Sequence, residues 1–164
     1  LVYGAPTGLA RIARPAPLHI IDHGRISMAG SNSWTKASPY LLSILRIIAA
    51  FLFMQHGAEK LFGYPGGAFE LISSAKLFTL APGLAGLIEF GGGFLLLIGL
   101  FSRPVAFIMS GEMAFAYFMV HFQHNHTFPI LNGGDLAVLF CFAFLYLSAA
   151  GPGPLSVDRA LRRA

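Results

Sequence analysis

Apolar residues gather in four long runs, separated by polar or Gly/Pro-rich breaks. The first, Leu41 to Phe62, reads LLSILRIIAAFLFMQHGAEKLF and is apolar around its whole circumference over Ile47–Met54. About twenty such residues, at roughly 1.5 Å each, cross a bilayer core of about 30 Å. The run Gly63-Tyr64-Pro65-Gly66-Gly67 breaks the helix. Residues 68–76 are amphipathic, too short and too polar to span, and belong at the interface. A second apolar helix covers about 81–101, and Ser102-Arg103-Pro104 turns the chain into a third over about 104–122. A polar loop, 121–134, leads to a fourth over 135–150, closed by Gly151-Pro152-Gly153-Pro154. The pattern predicts an all-α membrane protein, a four-transmembrane-helix bundle with a short interfacial helix between helices 1 and 2.

The flanks differ from this block. Residues 1–39 are rich in Gly, Pro and Arg, lack a sustained period, and are expected to be a poorly ordered extension. The first methionine is Met28, so 1–27 are expected to lie upstream of the true start, the alternative being a basic cytoplasmic arm. The membrane domain is assigned to 40–154, and 155–164 to a basic cytoplasmic tail.

Composition narrows the class. The 164 residues are 55% hydrophobic and 11% charged. Soluble domains carry about 25% charged residues, so the balance fits a protein embedded in lipid. The net charge of +4 does not signal nucleic acid, because the basic residues are spread along the chain and collect at its ends. Counted from Met28, Lys36, Arg103, Arg159, Arg162 and Arg163 fall on one side of a four-span layout, and Lys60 and Lys76 on the other. The positive-inside rule puts both termini in the cytoplasm. A single cysteine, Cys141, excludes an intrachain disulfide or a Cys-x-x-Cys pair. It sits among Leu139, Phe140, Phe142 and Phe144 and reads as an inert packing residue.

The polar residues inside the apolar runs carry the candidate chemistry. On a helical wheel Arg46, Ala50, Phe53, Gly57 and Lys60 share one side of the first helix, with His56 at its edge. Lipid cannot satisfy such a stripe, so it must face protein or water. Glu89 lies mid-span with Gly92 and Gly93 one turn on, and Glu112 lies in the third helix among Ser110, Gly111 and Ala114. Arg46, Glu89 and Glu112 are expected to form one buried ionic cluster, with Lys60 or His56 as the alternative partner if Arg46 reaches for the cytoplasmic surface. The cluster is either a structural lock or a proton and ligand site, and spacing leaves both open. Gly91-Gly92-Gly93 lies inside an apolar run with no strand before it, so it is no dinucleotide fingerprint. His121, His124 and His126 have chelating spacing, but only Asp135 follows as a carboxylate, and no metal site is assigned.

Four stretches together are similar to one family. LRIIAAFLFMQHGAEKLFGYPGG resembles the first helix of the DoxX family, and LAGLIEFGGGFLLLIGLFSRP its second. LNGGDLAVLF resembles the start of its fourth, with Asp135 where glutamate is usual. AAGPGPLSVDRALRR resembles its closing Gly-Pro-Gly…Ser-x-Asp signature, with Leu155 where an aromatic is frequent. The resemblance covers roughly Tyr40–Arg163. It implies a four-helix bacterial inner-membrane protein associated with thiosulfate:quinone oxidoreductase subunits, oxidative-stress complexes or resistance to quinone-like compounds.

The expected function is therefore a quinone-interacting or redox-complex-associated membrane subunit, with quinone as the cofactor class. Arg46, Glu89 and Glu112 are its candidate catalytic residues, and His56 and Lys60 its candidate ligand-binding residues. The alternatives are a non-catalytic accessory subunit using the same cluster to lock helices, and a small proton-coupled transporter. The expected partners are the lipid bilayer, a redox subunit and further copies of the chain, which a transport pathway would require.

Overall fold

The computed structural model describes residues 33–66, 80–123 and 127–162, which are helical and turn structure without a strand. They belong to one unit, Asn32–Ala164. The expected extension over 1–27 and the interfacial helix over 68–76 lie outside the described residues.

Helix α1 runs Ser33–Phe62. It begins well before the expected 40, so the boundary drawn at 39/40 falls inside it. Pro39 is tolerated there, and its carbonyl accepts a hydrogen bond from the Ser43 hydroxyl at 3.3 Å. Helix α2 covers 80–98 and alternates widened and regular turns: π segments Leu80–Leu84 and Ile88–Gly92, α segments Ala85–Leu87 and Gly93–Ile98. It ends earlier than the expected 101 because Gly99 turns left-handed, with φ 74°. There Gly99 N–H bonds Leu96 carbonyl at 3.1 Å and Leu100 N–H bonds Leu95 carbonyl at 2.9 Å, the paired closure of a Schellman end.

Helix α3 runs Ser102–His121, its last turn the π segment Tyr117–His121. The short α4, Pro129–Asn132, precedes α5, Asp135–Ala150. Helix α6, Val157–Leu161, follows the Gly-Pro stretch. The terminal segment is tied to the bundle: Asp158 Oδ1 and Oδ2 accept from the Phe101 and Ser102 N–H groups, both at 2.8 Å. That caps the first turn of α3, whose amides have no intrahelical partner.

Helices α1 and α2 pack antiparallel on a seam of small residues. A Cβ added at Gly57 would meet Phe90 Cβ at 2.8 Å, and one at Gly93 would meet Met54 Cγ at 2.6 Å. Only glycine permits that approach. Gly92 faces the other way, toward Met109 of α3 at 3.2 Å, so the adjacent glycines serve two different neighbours. Helices α3 and α5 are also antiparallel: Ser110 Oγ donates to the Cys141 carbonyl at 2.8 Å, and Arg103 reaches the carbonyls of Ser148 and Ala149. Phe53, Phe140 and Phe144 fill the centre, with ring centroids 4.8 to 5.5 Å apart.

The outside of the bundle is as apolar as its inside. Ile44, Ile48 and Phe51 on α1, Phe94 on α2, Phe107 on α3 and Phe142 on α5 are all exposed. Apolar residues on the outer faces of all four long helices mark a surface made for lipid. Helices α1 and α3 are long and apolar enough to cross a membrane, whereas Pro82–Ile98 and α5 are shorter apolar helices. The 16 residues of α5 rise about 24 Å, less than a core of about 30 Å.

Candidate functional site

The buried polar groups divide between the two ends of the bundle. At the end that holds the start of α1 and the terminal segment, Arg46 is fully enclosed, at 1% exposure. Its Nε donates to the Pro152 carbonyl at 3.0 Å and its Nη1 to that of Leu97 at 2.9 Å. The carbonyls of Leu96 and Leu155 take further bonds from Nη1 and Nη2. These acceptors are open to a side chain because α2 has just ended, leaving Leu96 with only the Gly99 closure, and because the Gly-Pro stretch forms no helix. The planar guanidinium fork suits them. Gly99 makes room: a Cβ there would lie 2.7 Å from Arg46 Nη1 and 2.5 Å from Ser156 Cβ.

The expected single Arg46–Glu89–Glu112 cluster is therefore not what forms. Arg46 is engaged by main-chain oxygens at one end, and the carboxylates lie toward the other. The ion pair is Lys60 with Glu89 Oε1, joining the last turn of α1 to α2. Lys60, named from sequence as the alternative partner, takes the role first given to Arg46.

Around this pair opens a cavity of about 940 Å³, walled by α1, α2, α3 and α5. Its polar lining is His56, Lys60, Glu89, Glu112 and His121, and the remainder is apolar, including Phe53, Phe115 and Phe140. Glu89 is 2% exposed, and its Oε2 and the Oε2 of Glu112 are buried without a hydrogen-bond partner. Glu112 lies close enough to Glu89 and Lys60 to feel both charges, and Glu89 feels His56. The His56 ring meets Phe140 edge-on at 6.4 Å.

His121 is a member that spacing did not reveal, having been considered only as a loop ligand. In a regular helix residues nine apart point in opposite directions, at about 100° per residue. The widened turn Tyr117–His121 lags that rotation and brings His121 onto the same cavity as Glu112. Its Nδ1 lies 3.1 Å from the Asn132 carbonyl. A carbonyl only accepts, so Nδ1 is the donor of this bond. A second π segment, Ile88–Gly92, holds Glu89 itself. Such widened turns are frequent at functional sites.

Cys141 is half-buried, 3.6 Å from Ser110 Oγ. Among the described residues no group of three His, Cys, Asp or Glu is placed to hold a metal, and His124 and His126 lie outside them.

A helical bundle with an apolar exterior and a buried polar interior is an integral membrane protein, and the comparisons with known proteins agree. The DoxX family model matches residues 41–122. The chain is 41% identical over 132 residues to an uncharacterized protein of Haemophilus influenzae, covering 77% of this chain and 95% of that one. It is 30% identical to the inner membrane protein YqjF of Escherichia coli K12, over 73% of this chain and 91% of the relative. It is also 30% identical to the inner membrane protein YphA of the same organism, over 75% and 91%. No solved structure matches significantly. The chain belongs to the DoxX family.

Proposed function

We propose that this protein is a four-span subunit of a bacterial inner membrane, with both termini cytoplasmic, that holds a lipophilic molecule with a quinone-type head group beside a redox partner. The observation that carries this is the cavity: about 940 Å³, apolar over most of its wall, with a lysine, two carboxylates and two histidines converging on it. That combination fits an oily molecule with one polar end, in the size range of about 300–1,000 Å³ typical of small-molecule sites. The unpartnered oxygens of Glu89 and Glu112 fit a head group that forms hydrogen bonds.

A quinone would supply carbonyl oxygens and, with an electron donor from a partner, reversible reduction. The chain's own contribution is placement and polarity. Lys60 holds Glu89 in position by charge, His56 offers an edge beside Phe140, and the aromatic walls exclude water from the head group. Arg46 has no part in this site; it favours a second, structural role for the far end of the bundle. Four spans are supported by the antiparallel pairing of α1 with α2 and α3 with α5. Both termini in the cytoplasm are supported by Lys36, Arg103, Arg159 and Arg162.

The test is to purify the protein in detergent, extract its lipophilic contents, and record absorption before and after chemical reduction. A stoichiometric quinone is expected. A bundle that carries none, and takes up none when it is offered, overturns the reading.

A further inference from the structure

We propose that the cavity is a one-sided proton port: Glu112 holds a proton as the neutral acid and exchanges it, by way of His121, with water at the end of the bundle away from Arg46. The port rests on the chain's own residues and not on what the cavity holds.

The first observation is a charge count at buried atoms. Glu89 is 2% exposed, and Lys60 is bound to its Oε1. Glu112 has no cation in contact among the described residues, and its Oε2 and that of Glu89 are buried without a hydrogen-bond partner. One lysine balances one carboxylate. A second bare carboxylate in the same apolar cavity would meet both the cost of burial and the repulsion of Glu89. A proton on Glu112 removes both penalties and turns it from a group that only accepts hydrogen bonds into one that also donates. Glu89 Oε2, an acceptor without a donor, lies on the same cavity.

The second observation is a way out. The charged and titratable groups that face Glu112 across the cavity are His56 and Lys60 of α1, Glu89 of α2 and His121 of its own helix. Helix α5 contributes only apolar side chains there. His121 joins the cavity to the loop that follows α3: its Nδ1 donates to the Asn132 carbonyl, which orients the ring. Nε2 is then the nitrogen that changes between accepting and donating. An imidazole so held passes a proton between a buried acid and water. A cavity of about 940 Å³ leaves room for water between the two groups. His56 sits instead with Glu89 and Phe140.

The third is a closed floor. Between the cavity and the Arg46 end, each long helix contributes one residue buried to 1% exposure or less: Phe53, Leu96, Met109 and Phe144. All four belong to one apolar core cluster, and the rings of Phe53 and Phe144 meet edge to face with centroids 4.8 Å apart. Close-packed apolar side chains offer a proton no hydrogen-bonded chain. Exchange therefore runs to one side, the outer face of the four-span topology, and the port loads and unloads a proton without conducting it.

Infrared spectroscopy of the detergent-solubilised protein, with no ligand added, tests this. Wild type at neutral pH is expected to show the C=O band of a protonated carboxyl, shifted by isotope-labelled glutamate and lost in Glu112→Gln. The labelled wild type assigns the band to glutamate even if the variant fails to fold. In deuterium oxide the band moves as the proton exchanges. His121→Ala is expected to slow that exchange by about a hundredfold, the lower end of what a positioned acid–base group contributes. Added imidazole is expected to restore it, which a damaged fold would not allow. In sealed proteoliposomes wild type is expected to leave an imposed pH gradient standing as long as empty vesicles do. The proposal is overturned by a missing band at neutral pH, a band that survives Glu112→Gln, unchanged exchange in His121→Ala, or a collapsing gradient. Each of these leaves the lipophilic-site reading untouched.

Discussion

Arg46 donates from Nε to the carbonyl of Pro152 at 3.0 Å, across 106 positions of sequence, and so ties the first helix to the chain that follows the last long one. Its remaining bonds go to Leu96, Leu97 and Leu155. Arg46→Leu removes the arginine donor from all four, and only Leu96 and Pro152 keep another, from the Gly99 N–H and the Ser43 hydroxyl. Each such loss costs about 1–3 kcal/mol. The variant is expected to lose more than about 2 kcal/mol of stability, and Arg46→Lys, lacking the planar fork, to recover only part of it. Thermal unfolding in detergent measures both.

The separation of Arg46 from the carboxylates makes a quantitative claim. A double-mutant cycle on Arg46→Gln and Glu89→Gln is expected to be additive within about 0.5 kcal/mol, as for groups that share no partner. The cycle on Lys60→Met and Glu89→Gln is expected to show a coupling of about 0.5–3 kcal/mol. Equal couplings would mean that the two ends of the bundle are not independent.

Much of this architecture is legible in the residue pattern. The apolar runs announce the long helices, the glycines of α2 announce a close approach, and Lys60, Glu89 and Glu112 stand out as charges in oil. Arg46 was matched to the wrong partner for a physical reason. Side-chain patterns pair charge with charge, while its acceptors are main-chain oxygens released by one helix end and one Gly-Pro turn, which have no letter in the sequence. His121 was missed because a widened turn shifts the phase of everything after it, and no residue type marks such a turn. The early start of α1 is not legible in the apolar run because residues 33–38 are mostly polar or small and Pro39 stands inside the helix.

Asp158 gives a pH signature outside the membrane-spanning helices. Burial raises its affinity for a proton, but the Ser102 and Phe101 amides and the Arg162 charge outweigh this and hold it below the usual carboxylate range. The folded chain then binds fewer protons than the unfolded chain in that range, so the cap contributes stability above the ordinary aspartate value that is lost as pH falls through the depressed one. Wild type is expected to lose stability on acidification through this window, and Asp158→Asn to show a flatter profile. Unfolding midpoints recorded over a pH series check it.

Gly57 tests the seam. Its added Cβ would press on Phe90 Cβ at 2.8 Å and Glu89 C at 2.9 Å, so the main chain of α2 must move. Gly57→Ala is expected to cost about 1–3 kcal/mol, as overpacking does. Because the displaced residue is Glu89, the Lys60 pair should loosen too. Thermal unfolding combined with the Lys60–Glu89 cycle reads both effects, whereas Gly91→Ala, with nothing within 4 Å, is expected to be close to neutral.

Topology is open to direct measurement. Thr35→Cys, in the first turn of α1, and Tyr64→Cys, just past its end, are expected to label from opposite faces of the inner membrane, Thr35→Cys only from the cytoplasm. Labelling of Thr35→Cys by an impermeant reagent in intact spheroplasts would reverse the assignment.

Arg46 also imposes an order on biogenesis. The ribosome delivers α1 long before Pro152 and Leu155 are synthesised, so the first helix enters the bilayer with a guanidinium whose final acceptors have not yet been made. Until translation passes the Gly-Pro stretch, that side chain must be kept by the insertion machinery or by water at the headgroups. Completion of the chain is thus coupled to the full burial of Arg46. A ribosome stalled before Pro152 would leave a nascent membrane protein chemically distinguishable from a finished one by an arginine held only by Leu96 and Leu97.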